Sequence, residues 1–287
     1  MAYETIKYDV KDHVATITLY RPEKMNAYNG QMLDDLVAAF DAIDADDDVR
    51  AVVVTGDGRA FCAGADLTPS GGGQPFEKPD YDSLSHPEVR DKGGLLTLRI
   101  HDCNKPVIAA VNGAAIGIGA TMLTAMDIRL GSTKCKFGFV FVRRGIVPEA
   151  ASSWFLPRIV NMGTALEWCL TGRMVEATEA QERGFLRSLH EPEDLLPAAY
   201  AIAREIADNA APVSVTLTRH MLWRLSAADH PMAAHKIDSR GIYRRGKSND
   251  VKEGVAAFLE KRDAVYPDRV SRDMPDYFPW WNQPEYD

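Results

Sequence analysis

The sequence predicts an α/β fold, on three observations. Short apolar, β-branched runs alternate with amphipathic stretches through the first two thirds of the 287 residues. Two of those runs end in glycine-bearing loops, Phe61 to Leu67 (FCAGADL) and Asn112 to Gly119. From Asp194 the alternation stops and only long helical patterns follow. The spans divide as a core over 1–192, a helical region over 193–265 and an aromatic, proline-rich tail over 266–287.

Taken in order, Thr5 to Val10 and His13 to Leu19 alternate apolar and polar residues about Lys11-Asp12 and read as a β-hairpin. Asn29 is placed to N-cap a helix whose apolar face holds Met32, Leu33, Leu36, Val37 and Phe40, and the acidic run Asp44 to Asp48 ends it. Ala51 to Val54 is a buried strand, followed by turn residues Gly56-Asp57-Gly58. Thr68 to Gly94 is rich in Gly, Pro and Ser and reads as a flexible insertion with one short helix, the size of a lid or binding loop. Leu95 to Cys103 is a helix that feeds the strand Val107 to Val111.

After the Asn112-Gly113 turn, Gly117-Ile118-Gly119 opens Ala120 to Met126, which has almost no polar face and predicts a helix buried on all sides. Glycines there let a ligand approach the backbone, and the unpaired N–H groups of a helix start can hold negative charge. Close packing of helix on strand accounts for the same glycines equally well. Ile128 to Leu130 and Lys136 to Phe139 are further strands. Pro148-Glu149 predicts a helix start running to about Val160, since proline suits the first turn and an acid complements the dipole. Ala165 to Leu170 and Thr178 to Arg183 are helical, with Gly184 as a C-cap. The long helices are Leu195 to Ala210, Val213 to Leu225, Ile237 to Tyr243 and Val251 to Lys261. Tyr277, Phe278, Trp280 and Trp281 make the tail too aromatic for a solvated end, so it is expected to pack on a neighbour.

Several function classes drop out. There is no GxSxG or HExxH motif. A dinucleotide fingerprint at Gly117 and Gly119 lacks its third glycine, replaced by Met122. Cys62, Cys103, Cys135 and Cys169 show no CxxC, so no metal site or disulfide framework is expected. A net charge of −8 speaks against nucleic acid, and no apolar run is long enough to span a membrane. The start has no secretory pattern, so a cytoplasmic location is expected.

FCAGADL followed by KPVIAAVNGAAIGIGATMLTAMDIRL resembles the paired loops of the crotonase superfamily, the enoyl-CoA hydratases and isomerases. RPEKMNAYN, FGFVFVRRGIVPEAASSWFLPRIV, LTGRMVEATEAQERGFL and FLEKR fall in the family's order, so the resemblance covers nearly the whole chain. It implies a spiral of ββα units, a C-terminal helical trimerisation region, and a homotrimer or dimer of trimers. It also implies an acyl-CoA thioester substrate, with coenzyme A part of that substrate and no separate cofactor. By residue matching, the backbone N–H groups of Ala65 and Ile118 form an oxyanion hole for an enolate. Ile118 stands where the family usually has glycine, which bears on the shape of the acyl pocket. Lys24, Ala27, Ala63, Asp66 and Leu67 match coenzyme A positions, and Phe258 and Lys261 match a C-terminal contact.

The two glutamates that typical hydratases use are here Thr121 and Phe141, neither able to exchange a proton near neutral pH. Glu149 resembles the shifted glutamate of the peroxisomal-type Δ3,Δ2-enoyl-CoA isomerases, a single acid and base. Without the resemblance it reads as a helix-start acid worth about 0.3 to 1 kcal/mol. An apolar pocket of Phe139, Phe141 and Trp154 would raise its pKa. Asp66 reads as a loop anchor, Asp127 as a helix-end partner, Arg143-Arg144 as ion-paired with the acidic surface, and His101 as a packed histidine without a catalytic role. The implied activities are Δ3,Δ2-enoyl-CoA isomerisation; hydration or another family reaction such as thioester hydrolysis; or acyl-CoA binding without catalysis.

Overall fold

The computed structural model describes residues 3–68, 76 and 78–286. The hairpin is β1 (Ile6–Lys11) and β2 (Val14–Leu19), antiparallel. Then come α1 (Gly30–Ala45), β3 (Ala51–Gly56), β4 (Ala60–Cys62), α2 (Lys92–Asp102), β5 (Val107–Val111), β6 (Ala114–Ile116) and α3 (Ile118–Thr121). Beyond these lie β7 (Ile128–Ser132), β8 (Lys136–Gly138), α4 (Ser152–Val160), α5 (Met162–Thr171), β9 (Met174–Glu176), α6 (Ala177–Glu182) and β10 (Ser188–His190). The C-terminal helices are α7 (Pro192–Asn209), α8 (Pro212–Leu225), α9 (Met232–Arg245) and α10 (Asn249–Glu260).

One sheet has the order β1-β2-β3-β5-β7-β10 and the other β4-β6-β8-β9. Each of the pairs β3/β4, β5/β6 and β7/β8 gives one strand to each sheet before the chain turns into helix, which is the expected ββα spiral. The continuous apolar reading of β3 and β5 has a two-sided cause. Val52, Val54, Val107 and Ala109 face the core under α1 and α2, while Ala51, Val53, Ile108 and Ala110 face α7. Helix α7 meets them with Leu195, Ala199, Ala203 and Ala207, one residue per turn and mostly small, so it lies close on the sheet. The region beyond 193 therefore supplies one wall of the core.

Asn29 caps α1 by accepting from Met32 N at 2.9 Å. Asp91 caps α2 by accepting from Gly93 N and Gly94 N, which starts that helix three residues before Leu95. Within the insertion, Pro87–Val89 forms a single 3-10 turn, while positions 69–75 and 77 lie outside the described residues.

Three expectations change. The buried helix does not start at Ala120: α3 begins at Ile118, spans only one turn, and tightens into a 3-10 turn over Met122–Ala125. Pro148-Glu149 does not start a helix either. The chain makes a 3-10 turn at Phe141–Arg144, then Ala150 and Ala151 adopt left-handed φ of 60° and 50°, and α4 starts at Ser152. A left-handed alanine costs about 1–2 kcal/mol, so neighbouring contacts must hold this kink. Glu149 thus lies outside the helical turn whose dipole would have explained it. The tail, expected on a neighbour, packs on its own chain: Trp281 and Phe278 lie 5.0 and 5.4 Å from the His220 ring, and Arg224 sits 3.5 Å over Trp281.

Candidate active site

Two loops meet at the ends of β4 and β6. In the first, Gly64 has φ +107°, and a side chain there would lie 3.2 Å from Ile116 O. Tyr28 brackets Ala65, donating to Gly64 O and accepting from Asp66 N, both at 2.8 Å. This parallel bridge leaves the N–H of Ala65 pointing away from Tyr28. In the second loop Gly117 has φ +54°, donates to Gly138 O at 2.8 Å and turns the chain into α3. Ile118 is the first residue of that helix, so its N–H has no intrahelical acceptor. Among the described residues neither Ala65 N nor Ile118 N donates to a backbone acceptor.

The glycines divide between the two readings that the sequence left open. A Cβ at Gly119 would lie 2.2 Å from Cys62 O, which is close packing of helix on strand. Gly64 and Gly117 carry positive φ, and a Cβ on Gly117 would sit 3.9 Å from Gly64 Cα, so the loops abut.

Glu149 is held beside them. Its carbonyl accepts from Ser152 N at 3.0 Å and Ser152 Oγ at 2.6 Å. Next to it, Ala150 N donates to Asp91 Oδ2 at 2.6 Å and Thr97 Oγ1 donates to Ala150 O at 2.8 Å, which fixes the left-handed kink to α2. The carboxyl group meets Thr121 Oγ1 at 2.5 Å through Oε1. A Cβ on Gly93 would lie 1.8 Å from Glu149 Oε2 and 2.7 Å from Ile118 Cδ1, so the carboxyl group and the Ile118 side chain both lie over that glycine. Burial first, then the negative charge of Asp91, push the Glu149 pKa up to about 8. The Thr121 bond pulls it down, and a hydrogen bond with Asp91 adds to the rise. Burial first, then Glu149 and Asp91, push the Tyr28 hydroxyl up, and burial pushes the Cys62 thiol to about 12.

Among the other expected residues, Lys24, Ala27, Ala63, Asp66 and Leu67 come together. Ala27 N donates to Lys24 O at 3.1 Å, and Ala63 N to Met25 O at 3.0 Å. Arg21 reaches Ala27 O and pairs with Asp66 at 2.8 Å. Bonds from Thr68, then Arg21, hold the Asp66 carboxyl at about 2. Asp66 is therefore engaged as a loop anchor, and half-exposed Leu67 follows it. Phe258 and Lys261 stand apart at the end of α10. Phe258 is 81% exposed, and Lys261 N closes the helix end by donating to Ala257 O and Phe258 O.

Asp127 takes Val107 N at 2.7 Å, Arg219 Nε at 2.8 Å and Trp223 Nε1 at 2.6 Å, tying β5 to α8. Thr121, the position of a glutamate in typical hydratases, is here the hydroxyl partner of Glu149. The expected aromatic pocket is different: Phe139 stacks on Trp168, and Trp154 packs with His101, Phe155 and Trp223. The groups found at the Glu149 carboxyl are Thr121, Asp91, Gly93 and the Ile118 side chain. Arg143, expected in an ion pair, donates instead to Thr171 O at the end of α5 at 2.8 Å.

Sequence reasoning missed Asp91, Gly93 and Tyr28. Asp91 followed by a lysine and two glycines looks like loop; the readable signal was an aspartate just ahead of an apolar periodic run.

The family model described as enoyl-CoA hydratase/isomerase matches residues 9–269. The chain is 43% identical over 260 residues to the enoyl-CoA hydratase ACTT3 of Alternaria alternata, covering 90% of this chain and 84% of that protein. It is 32% identical to the 1,2-epoxyphenylacetyl-CoA isomerase of Escherichia coli, over 92% and 98% of the two chains. In structure it is similar to an enoyl-CoA hydratase from Bacillus anthracis, with a TM-score of 0.83, 29% identity, and 92% and 99% of the chains covered.

Proposed function

The chain belongs to the enoyl-CoA hydratase/isomerase family, and from that membership we propose that it isomerises a 3-enoyl-CoA to a 2-enoyl-CoA with Glu149 as its single acid and base. The thioester oxygen accepts from the N–H groups of Ala65 and Ile118. Ionised Glu149 takes a proton from C2, the negative charge spreads onto that oxygen, and Glu149 returns the proton at C4. Fixed backbone donors hold the enolate without reorganising water, and one such donor is worth about 3 kcal/mol.

The observation that carries this reading is the buried Glu149 carboxyl, raised to about 8 and fixed beside the Ile118 loop, where Thr121 and Phe141 supply no second proton-exchanging group. Relatives named as hydratases favour a second reading, in which Glu149 activates water for addition to a 2-enoyl-CoA. Purified protein given 3-enoyl-CoA and 2-enoyl-CoA in parallel separates the two. Glu149→Gln is expected to lower turnover by about 10²–10⁴-fold, and full activity of that variant would end the proposal. Binding of acyl-CoA without turnover of either substrate would favour a non-catalytic member.

A homotrimer, or a dimer of trimers, is part of the same reading. Leu222, Ile242, Phe258 and Leu259 are each more than 70% exposed on α8 to α10, which supports burial between copies.

A further inference from the structure

We infer that Asp91 is a positioning residue for Glu149: the two form one carboxyl pair across the first turn of α2 that holds a single proton, with Asp91 the fixed acceptor and Glu149 the member that meets substrate. The inference rests on the reading of Glu149 as the acid and base and adds a partner to it.

The geometry supplies the argument. Asp91 Oδ1 accepts from Gly93 N at 2.9 Å, and Oδ2 from Gly94 N at 2.8 Å and Ala150 N at 2.6 Å. These donors come from both sides of the site, the start of α2 and the kink that follows Glu149. They solvate Asp91 as the acceptor and fix it beside its neighbour. Glu149 can reach this position only because Gly93 has no side chain, since a Cβ there would lie 1.8 Å from Oε2. Its other oxygen is taken by Thr121 Oγ1 at 2.5 Å. Among the described residues, the titratable groups that face Glu149 are Asp91 ahead of α2, Tyr28 ahead of α1 and Cys62 at the end of β4, and none of these is a cation. With none of these groups offsetting it, the negative charge of Asp91 opposes ionisation of the adjacent Glu149 carboxyl, as in other carboxyl pairs.

The arrangement has a chemical use. Once Glu149 has lost its proton, it faces the negative charge of Asp91 and becomes a stronger base. Taking the C2 proton breaks the C–H bond, leaves its electron pair in the enolate and restores the one-proton pair. Releasing that proton at C4 forms the new C–H bond and returns the charge to Glu149. Each half of the shuttle therefore exchanges charge between the pair and the substrate oxygen, with no net proton lost.

The test uses the full chain without ligand and follows the protonated-carboxyl infrared band that disappears in Glu149→Gln. In the wild type this band is expected to titrate near pH 8. In Asp91→Asn its midpoint is expected to fall by about one pH unit or more, a tenfold change in proton concentration. The ascending limb of kcat/KM on 3-enoyl-CoA should move the same way, which a purely structural role for Asp91 would not produce. If Asp91→Asn does not fold, Asp91→Ser keeps a capping oxygen without the charge and carries the same measurement. An unchanged midpoint in a folded variant overturns the pair, even if Glu149→Gln is inactive. A shifted midpoint without isomerase turnover upholds the pair and overturns the isomerase reading.

Discussion

At neutral pH the Glu149 carboxyl, with its pKa raised to about 8, keeps its proton in most ligand-free molecules, so the basic form that the proposed reaction needs grows in with pH. The kcat/KM on 3-enoyl-CoA is therefore expected to rise through a limb near pH 8, read from a pH–rate profile. The same shift acts on stability with a definite sign. The folded-state value lies above the ordinary 4.5, so the folded chain binds the proton more tightly. The stabilising contribution is complete below about pH 4.5 and is lost as pH rises through about 8. Glu149→Gln, which mimics the protonated acid, is expected to be more stable than wild type above pH 8, by an amount on the order of a few kcal/mol. Denaturant midpoints for both proteins from pH 5 to 9 check this, and parallel curves would contradict it. An inactive variant that gains stability would mark Glu149 as a residue kept for its chemistry at the expense of the fold.

Among the elements, α2 links the capping residue Asp91 to the carboxyl it faces, and Gly93 is the position where the two meet. Gly93→Ala favours the helix by propensity, by about 1 kcal/mol, yet its methyl group would occupy the place of Glu149 Oε2. The expected outcome is near-normal thermal unfolding with turnover on 3-enoyl-CoA reduced at least tenfold; normal turnover would show that the carboxyl relocates freely. This element also marks what the sequence could disclose. The hairpin, α1 with its Asn29 cap and the buried strands β3 and β5 were legible, because periodicity and capping act over adjacent residues. Strands β6, β9 and β10 were not, since three residues show no period and only their partners define them. The kink at Ala150-Ala151 gave no signal, because alanine is a helix former and tertiary bonds from Asp91 and Thr97 impose its φ. The two glycine loops were legible in the residues themselves, but their pairing and the role of Glu149 came only through the family's ordered motifs; Asp91 lay inside a stretch whose composition reads as loop.

Across the whole molecule, the tail closes over α8 and reaches the C-terminal end of α2 and Leu84. Arg224 lies over Trp281, Gln283 donates to Asp102 at 2.7 Å, and Tyr286 Oη donates to Leu84 O at 3.3 Å. Trp281→Ala removes the cation–π contact and the ring packing with Phe278 and His220, and should lower stability by about 1–3 kcal/mol. A melting temperature equal to wild type would show that the tail rests on α8 without supporting it. Among the described residues no helix is long and apolar enough to cross a membrane.

The division of the central sheet between two cores bears on how the chain is made. Val14, Ala51, Val53, Ile108, Ala110 and Leu130 are all synthesised before the helix that covers them, α7. At about 5–20 residues per second, the ribosome leaves that face open for several seconds. During that interval the nascent chain presents an uncovered apolar sheet face, a surface suited to chaperone capture and to association between neighbouring nascent chains. Ribosome-bound chains stalled before Pro192 are expected to recruit holdase chaperones more strongly than chains stalled beyond Asn209 has emerged, as read by co-purification.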